Sequence, residues 1–103
     1  MTADKIQQEL LEAILYGIED NSSGEFTATV EVEDAGGDIC ALVEADVEYS
    51  YYGHTESETG AWVTDWASVT VYSLSADTAE AEAVASAIDT RRLERRAERA
   101  PRA

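Results

Sequence analysis

GEFTATVEVEDAGGDICALVEADVEYSY, residues 24–51, alternates between apolar and polar side chains on both sides of a short glycine-containing segment. A period of two is typical of strands that bury one face and expose the other to water. The segment between the two runs, residues 34–38, has the composition that turns prefer. The stretch therefore predicts a β-hairpin. Placing Val32 opposite Ile39 puts the apolar residues of both strands on one shared face.

A third strand is predicted at AWVTDWASVTVYSLS, residues 61–75, after the connection of residues 53–60. Four residues of this strand are expected to face the core: Val63, Ala67, Val69 and Val71. Their expected partners on the second strand are, in the same order, Tyr51, Val47, Ala45 and Val43. Asp65 then also falls on the inward face, where a lone carboxylate is unfavourable. A bulge near Asp65 could instead turn Trp66 inward, and the sequence leaves both arrangements open.

Helices are predicted on either side of the strands. Residues 3–21 carry apolar side chains at every fourth position, which indicates an amphipathic helix. Residues 75–96 read as one helix that begins with a capping-box-like pair, Asp77 and Glu80. The end of the chain, residues 96–103, offers nothing to bury and is expected to fray. The predicted class is α+β, in the order α-β-β-β-α, a three-stranded antiparallel meander with both helices on one face and the other face open.

The composition is strongly acidic. The 103 residues contain 22 Asp and Glu against 7 Lys and Arg, a net charge of −15, with 45% hydrophobic residues. This size and apolar fraction fit one folded domain. The charge opposes binding to nucleic acids and anionic membranes and favours basic proteins, cationic ligands or divalent metals.

Residues 91–103 hold six arginines and two glutamates, a charge of +4, which leaves −19 for residues 1–90. The expected organisation is an acidic domain, 1–90, followed by a basic tail.

Cysteine use and targeting signals set the expected compartment. Cys40 is the single cysteine, so an intrachain disulfide is excluded. The sequence shows no export signal and no apolar run of membrane-spanning length, and a cytoplasmic location is the default expectation. The sequon at Asn21 is therefore interpreted as the end of a helix rather than as a glycosylation site.

The open face of the predicted sheet is the leading candidate site. None of the three predicted strands contains a Lys or Arg. Acidic side chains beside exposed aromatic rings suit a basic, partly apolar protein surface, because aromatic residues anchor interfaces. A simpler interpretation is that the acids keep an uncovered sheet soluble. The predicted partner-binding residues are Glu31, Glu33, Glu44, Asp46, Glu48, Trp62, Trp66 and Tyr72.

Two further groups of residues are weaker candidates. The tail arginines could dock on the acidic face of the same or a neighbouring subunit, or could belong to a solvated helix end; they are Arg91, Arg92, Arg95 and Arg96. His54, Glu56 and Glu58 alternate along a polar loop and could ligate a divalent metal, although they match no known metal motif. A flexible polar hairpin loop is the preferred interpretation of these residues.

No sequence motif indicates a catalytic function. His54 is the only histidine, no serine lies in a nucleophile elbow, and acidic neighbours make the Cys40 thiol less reactive. No cofactor motif is present. The leading hypothesis is a non-enzymatic module that binds a basic partner through its open face. The alternatives are a self-assembling protein whose arginines dock on the acidic face, and a metal-dependent activity at His54. In size, acidity and lack of motifs the chain is similar to small phage and mobile-element proteins that block basic nucleic-acid-binding machinery.

Overall fold

The computed structural model describes residues 3–33 and 36–100. Its elements, in chain order, are α1 (Ala3–Gly17), β1 (Ser22–Glu33), β2 (Ile39–Thr55), β3 (Trp62–Ala76), α2 (Ala79–Ser86) and α3 (Thr90–Arg99). The strands form one antiparallel sheet in the order β1-β2-β3, and the helices pack against it. The α+β class and the three-stranded meander are confirmed. The predicted turn at residues 34–38 lies partly outside the described residues.

The core lies between the sheet and the helices. Alternate residues of β1 and β2 are buried, which confirms the period-two interpretation of both strands. The amphipathic stripe of α1 supplies the facing layer, as predicted. The largest fully buried side chains are Ile6, Leu10, Ile14, Leu93, Val43 and Val47.

The pairing of β1 with β2 differs from the predicted register by two residues. Val32 faces Ala41, not Ile39, and an irregularity after Val32 places Glu33 opposite Ile39. The apolar residues still share one face, because a shift of two preserves the alternation. The side chain of Ile39 is 56% exposed and does not join the core as predicted.

Two irregularities in β3 change which of its side chains face the helices. Asp65 has no partner between the pairs Thr64–Gly53 and Trp66–Tyr52, and Tyr72 is the second unpaired residue. The structure has the bulge near Asp65 that the sequence left open. The bulge does not turn Trp66 inward, however, and Trp66 lies outside the core, 59% exposed. The predicted pairing of β3 is wrong. Ala67, Val69 and Val71 face Tyr51, Tyr49 and Val47, and Val63 pairs with His54 away from the core.

The C-terminal region forms two helices rather than one. Thr78 is the N-cap of α2, and its hydroxyl accepts a hydrogen bond from the Ala81 N–H at 3.1 Å. The carboxylate of Asp89 accepts from the Arg92 N–H at 3.1 Å and begins α3. Asp at such a position offers the backbone an alternative to a continuous helix, which explains the break.

The predicted start at Asp77 and Glu80 is therefore wrong. Asp77 instead pairs with Leu42 of β2: its N–H donates to the Leu42 carbonyl, and its carboxylate accepts from the Leu42 N–H. The expectation of fraying from residue 96 is also wrong as far as Ala100, since Leu93 and Ala97 are buried in the core. Residues 101–103 lie outside the described part of the chain.

The helices are too short for a membrane crossing. Across residues 3–33 and 36–100, no helix has the length and apolar character that a transmembrane span requires.

Candidate binding surfaces

The side of the sheet away from the helices is acidic, and we call it the acidic face. Its carboxylates are all exposed, and they belong to Glu25, Glu31, Glu33, Glu44, Asp46 and Glu48. The predicted acids are therefore on one surface, together with Glu25, which was not singled out. The alternation of β1 contained the signal for Glu25, because it shares the polar set with Glu31 and Glu33.

Asp46 lies at the middle of the acidic face on the central strand. Its carboxylate accepts hydrogen bonds from the Ser73 hydroxyl at 2.8 Å and from the Thr27 hydroxyl at 2.9 Å. The bond from Ser73, followed by that from Thr27, lowers the pKa of Asp46 below its usual value. These bonds join all three strands across the face.

Three large aromatic side chains are exposed on the side of the sheet away from the helices. Tyr72 lies beside the carboxylates, whereas Trp66 pairs with Tyr52, four residues beyond Glu48 toward the His54 end. Trp66 and Tyr72 are 59% and 63% exposed, and Tyr52 is 41% exposed. Tyr72 borders a shallow depression of about 470 Å³ that Glu25, Thr27 and Asp46 also line. Tyr52 was not predicted as a site residue, although it follows the polar alternation of β2. Its hydroxyl shares a 2.9 Å hydrogen bond with Ser23 of β1.

Trp62 is not part of the acidic face, so its prediction as an exposed anchor is wrong. Its ring stacks on Tyr51, with centroids 6.1 Å apart and planes 8° from parallel. The indole N–H donates to the Tyr51 hydroxyl at 2.9 Å. The bulge at Asp65 is the physical reason, because one unpaired residue reverses the facing of every residue before it.

His54 forms a polar group with acids at one end of the sheet. Its Nδ1 lies 3.0 Å from Asp65 Oδ2, and its Nε2 lies 3.7 Å from Glu56 Oε1. The hydrogen bond with Asp65 and the charge of that carboxylate raise the pKa of His54, with a smaller contribution from Glu56. Asp65, which the predicted alternation placed inward, is therefore satisfied outside the core.

The predicted metal ligands do not gather into a site. Among the described residues, no group of three or more His, Cys, Asp and Glu side chains is arranged to hold a metal ion. His54 and Glu56 are near each other, whereas Glu58 lies in the exposed turn beyond them. Cys40 is the second residue of β2, at the other end of the strand from His54. The 14 residues between them correspond to roughly 45 Å of extended strand. That separation excludes a Cys–His catalytic pair within one chain.

A second surface lies between α1 and α3, and we call it the arginine groove. Its volume is about 790 Å³, and Leu11 and Leu15 of α1 contribute apolar surface to it. The remaining lining residues are Asp89, Arg92, Arg95, Arg96, Arg99 and Ala100. Three of the predicted tail arginines therefore line one groove. Arg99 was not predicted, and Arg91 lies outside the groove beside Glu94 and Glu98.

The acids of α3 lie along the edge of the sheet. Glu94 accepts a hydrogen bond from the Val71 N–H at 2.7 Å, and Glu98 accepts one from the Val69 N–H at 2.9 Å. Four residues of helix rise about 6.0 Å and two residues of strand about 6.6 Å, so the two spacings match. The helix thus covers the outer edge of β3, which would otherwise be open to pairing with another strand.

Comparison of the chain with protein-family models, with curated proteins and with solved structures gives no match.

Proposed function

We propose that this protein is a non-enzymatic interaction module that binds a basic protein through its acidic face. The exposure of Tyr72 beside the carboxylates, and of Trp66 on the same side of the sheet, carries the proposal. Carboxylates alone suffice to keep an open sheet hydrated. Large aromatic rings on the same surface have no such use, and they are the residue types that anchor protein interfaces.

The charge of the acidic face defines the partner's chemistry. Six carboxylates occupy β1 and β2, and the strands contain no Lys or Arg to neutralise them. A partner with clustered Arg or Lys side chains would relieve the repulsion among these carboxylates. Complementary charge also speeds encounter and excludes acidic competitors. Basic nucleic-acid-binding proteins of the cytoplasm are the class that fits best.

The rings of Trp66 and Tyr72 would supply the apolar part of the interface. Both are on β3, on the side of the acidic face opposite β1. Arg guanidinium groups stack well on such rings, so the same basic side chain can contact a ring and a carboxylate. This combination supports an arginine-rich partner.

A capture experiment with matched variants tests the proposal. The face variant is Glu25→Gln, Glu44→Gln and Glu48→Gln, which leaves Asp46 and its structural hydrogen bonds intact. The control variant, Glu12→Gln, Glu19→Gln and Glu80→Gln, removes the same charge from exposed positions elsewhere. Each purified protein is immobilised, exposed to host lysate and washed at increasing salt.

The expected result is a basic protein retained by the wild type and the control variant but not by the face variant. Raising the salt from 0.1 M to 1 M shortens the screening length from about 10 Å to about 3 Å and should release it. Equal retention by all three baits would contradict the proposal.

A further inference from the structure

Among the residues that the structure describes, the arginines of α3 have no acidic partner. In the part of the chain that the structure describes, no carboxylate oxygen lies within 4.0 Å of any arginine nitrogen. Arg96 donates to the Gln8 side chain at 3.1 Å, and Arg95 to the Arg91 carbonyl at 3.4 Å. In a protein with 22 acidic residues this separation of charge calls for an explanation.

The acids of α3 are already engaged elsewhere. Glu94 and Glu98 accept hydrogen bonds from the edge of β3, so they do not line the groove; they border a separate depression, which Arg95 of the groove also reaches. Among the described residues, Asp89 is the acid that lines the groove, and its carboxylate also caps the helix. The four groove arginines and Asp89 leave a charge of +3 at this surface.

The arginine groove has the chemistry of a carboxylate-binding surface. Guanidinium groups bind carboxylates through paired N–H donors, and the positions 92, 95, 96 and 99 fall on one side of a helix. They extend over about 10 Å of helix axis. Leu11 and Leu15 add apolar surface beneath them, which suits a partner that presents aromatic rings beside its acids.

We infer that the arginine groove docks the acidic face of a second copy of this chain. The inference rests on the proposed function, since it uses the same face and names one basic surface that the face would bind. The face offers six carboxylates with Trp66 and Tyr72, and the groove offers four guanidinium groups with two leucines. Charge and apolar surface are thus matched on both sides.

The sheet separates the two surfaces within one molecule. The helices lie on one side of the sheet and the acidic face on the other, so a molecule's own groove does not reach its own face. The contact is therefore heterologous and joins molecules head to tail, into a ring or an open chain. Each copy carries a charge of −15, but at 0.15 M salt screening over about 8 Å leaves the contacting groups dominant.

Complementation between two variants tests the inference. The groove variant is Arg92→Gln, Arg95→Gln and Arg99→Gln, and it keeps Arg96 because of its bond to Gln8. The face variant is again Glu25→Gln, Glu44→Gln and Glu48→Gln. Mass is measured by sedimentation over a concentration series for each protein alone and for the equimolar mixture.

The wild type is expected to form concentration-dependent oligomers that dissociate in high salt. Each variant alone should be monomeric, with self-association at least about tenfold weaker. The mixture should form a one-to-one dimer that grows no further, because one intact groove meets one intact face. Formation of that dimer also shows that both variants are folded.

Three results would overturn the inference. One is a monomeric wild type at every concentration, the second is a mixture that does not associate, and the third is unchanged oligomers of the groove variant. A monomeric wild type whose groove binds inorganic phosphate or a DNA fragment would assign another anion to it. A monomeric wild type that still captures a basic protein through the acidic face would leave the proposed function intact, so the two failures are distinguishable.

Discussion

The outer strands β1 and β3 share a sheet but differ in what fixes them. β1 pairs with β2 from Ser22 to Val32 without interruption and buries alternate residues. β3 has two unpaired residues, Asp65 and Tyr72, and a helix bound along its outer edge. The alternation of β1 thus determines which of its side chains face the core. The position of β3 depends on contacts with side chains that come from elsewhere in the chain.

Removing the carboxylates that bind the edge of β3 should have the largest effect. The double change Glu94→Ala and Glu98→Ala leaves the Val71 and Val69 N–H groups without their acceptors. At about 1.5–3 kcal/mol for each hydrogen bond to a charged group, we expect a loss of roughly 3–6 kcal/mol. Urea unfolding measures it. The control on β1, Glu31→Ala with Glu33→Ala, should cost less than about 1 kcal/mol. Equal losses would mean that the edge contacts add nothing.

A glycine pair gives the next largest contrast. A Cβ on Gly53, beside the bulge, would lie 2.5 Å from the Trp62 ring and 2.5 Å from the Val63 carbonyl oxygen. The backbone oxygen cannot move aside cheaply, so Gly53→Ala should cost about 1–3 kcal/mol. On β1, a Cβ on Gly24 would lie 3.4 Å from Tyr49, an ordinary contact. Gly24→Ala should change the free energy of unfolding by less than about 1 kcal/mol, and thermal unfolding of both variants checks the difference.

The smallest effect concerns the bulge at Asp65. Its carboxylate raises the pKa of His54, so Asp65→Asn should lower that pKa toward the ordinary value. NMR titration of the imidazole measures it. Because the folded pKa is raised, the pair favours folding below the unfolded pKa of about 6.5, and this contribution disappears as pH rises through the folded pKa. An unchanged titration in the Asn variant would show that the contact is absent in solution.

The sequence was sufficient where local chemistry determines structure. The stripe of α1 and the alternation of β1 and β2 predicted the layers and put five acids on one face. The sequence was insufficient where one unpaired residue changes which side chains of a strand face the core. The bulge at Asp65 moved Trp62 to the helix side, and alternation alone does not locate an unpaired residue. The break at Asp89 was not predicted, although Asp89 and Thr90 are weak helix formers and Asp is a preferred N-cap residue.

The arginine groove could not be predicted because its parts are distant in sequence. Leu11 and Leu15 come from α1, while the arginines come from α3. The orientation of α3 is set by the bonds of Glu94 and Glu98 to β3. Their spacing of four was visible in the sequence, but its match to the two-residue spacing of a strand edge required the tertiary arrangement.

The affinity of Trp66→Ala for the captured basic partner is the most direct test of the central claim, that acids and aromatic rings together form a binding face. The control is Tyr16→Ala, which removes a ring that is 95% exposed on α1. Isothermal titration should show binding at least about tenfold weaker for Trp66→Ala and unchanged for Tyr16→Ala, since an aromatic hot spot of an interface contributes about 2 kcal/mol or more. Wild-type affinity in the Trp66 variant would contradict the account and reduce the acidic face to a hydrated surface.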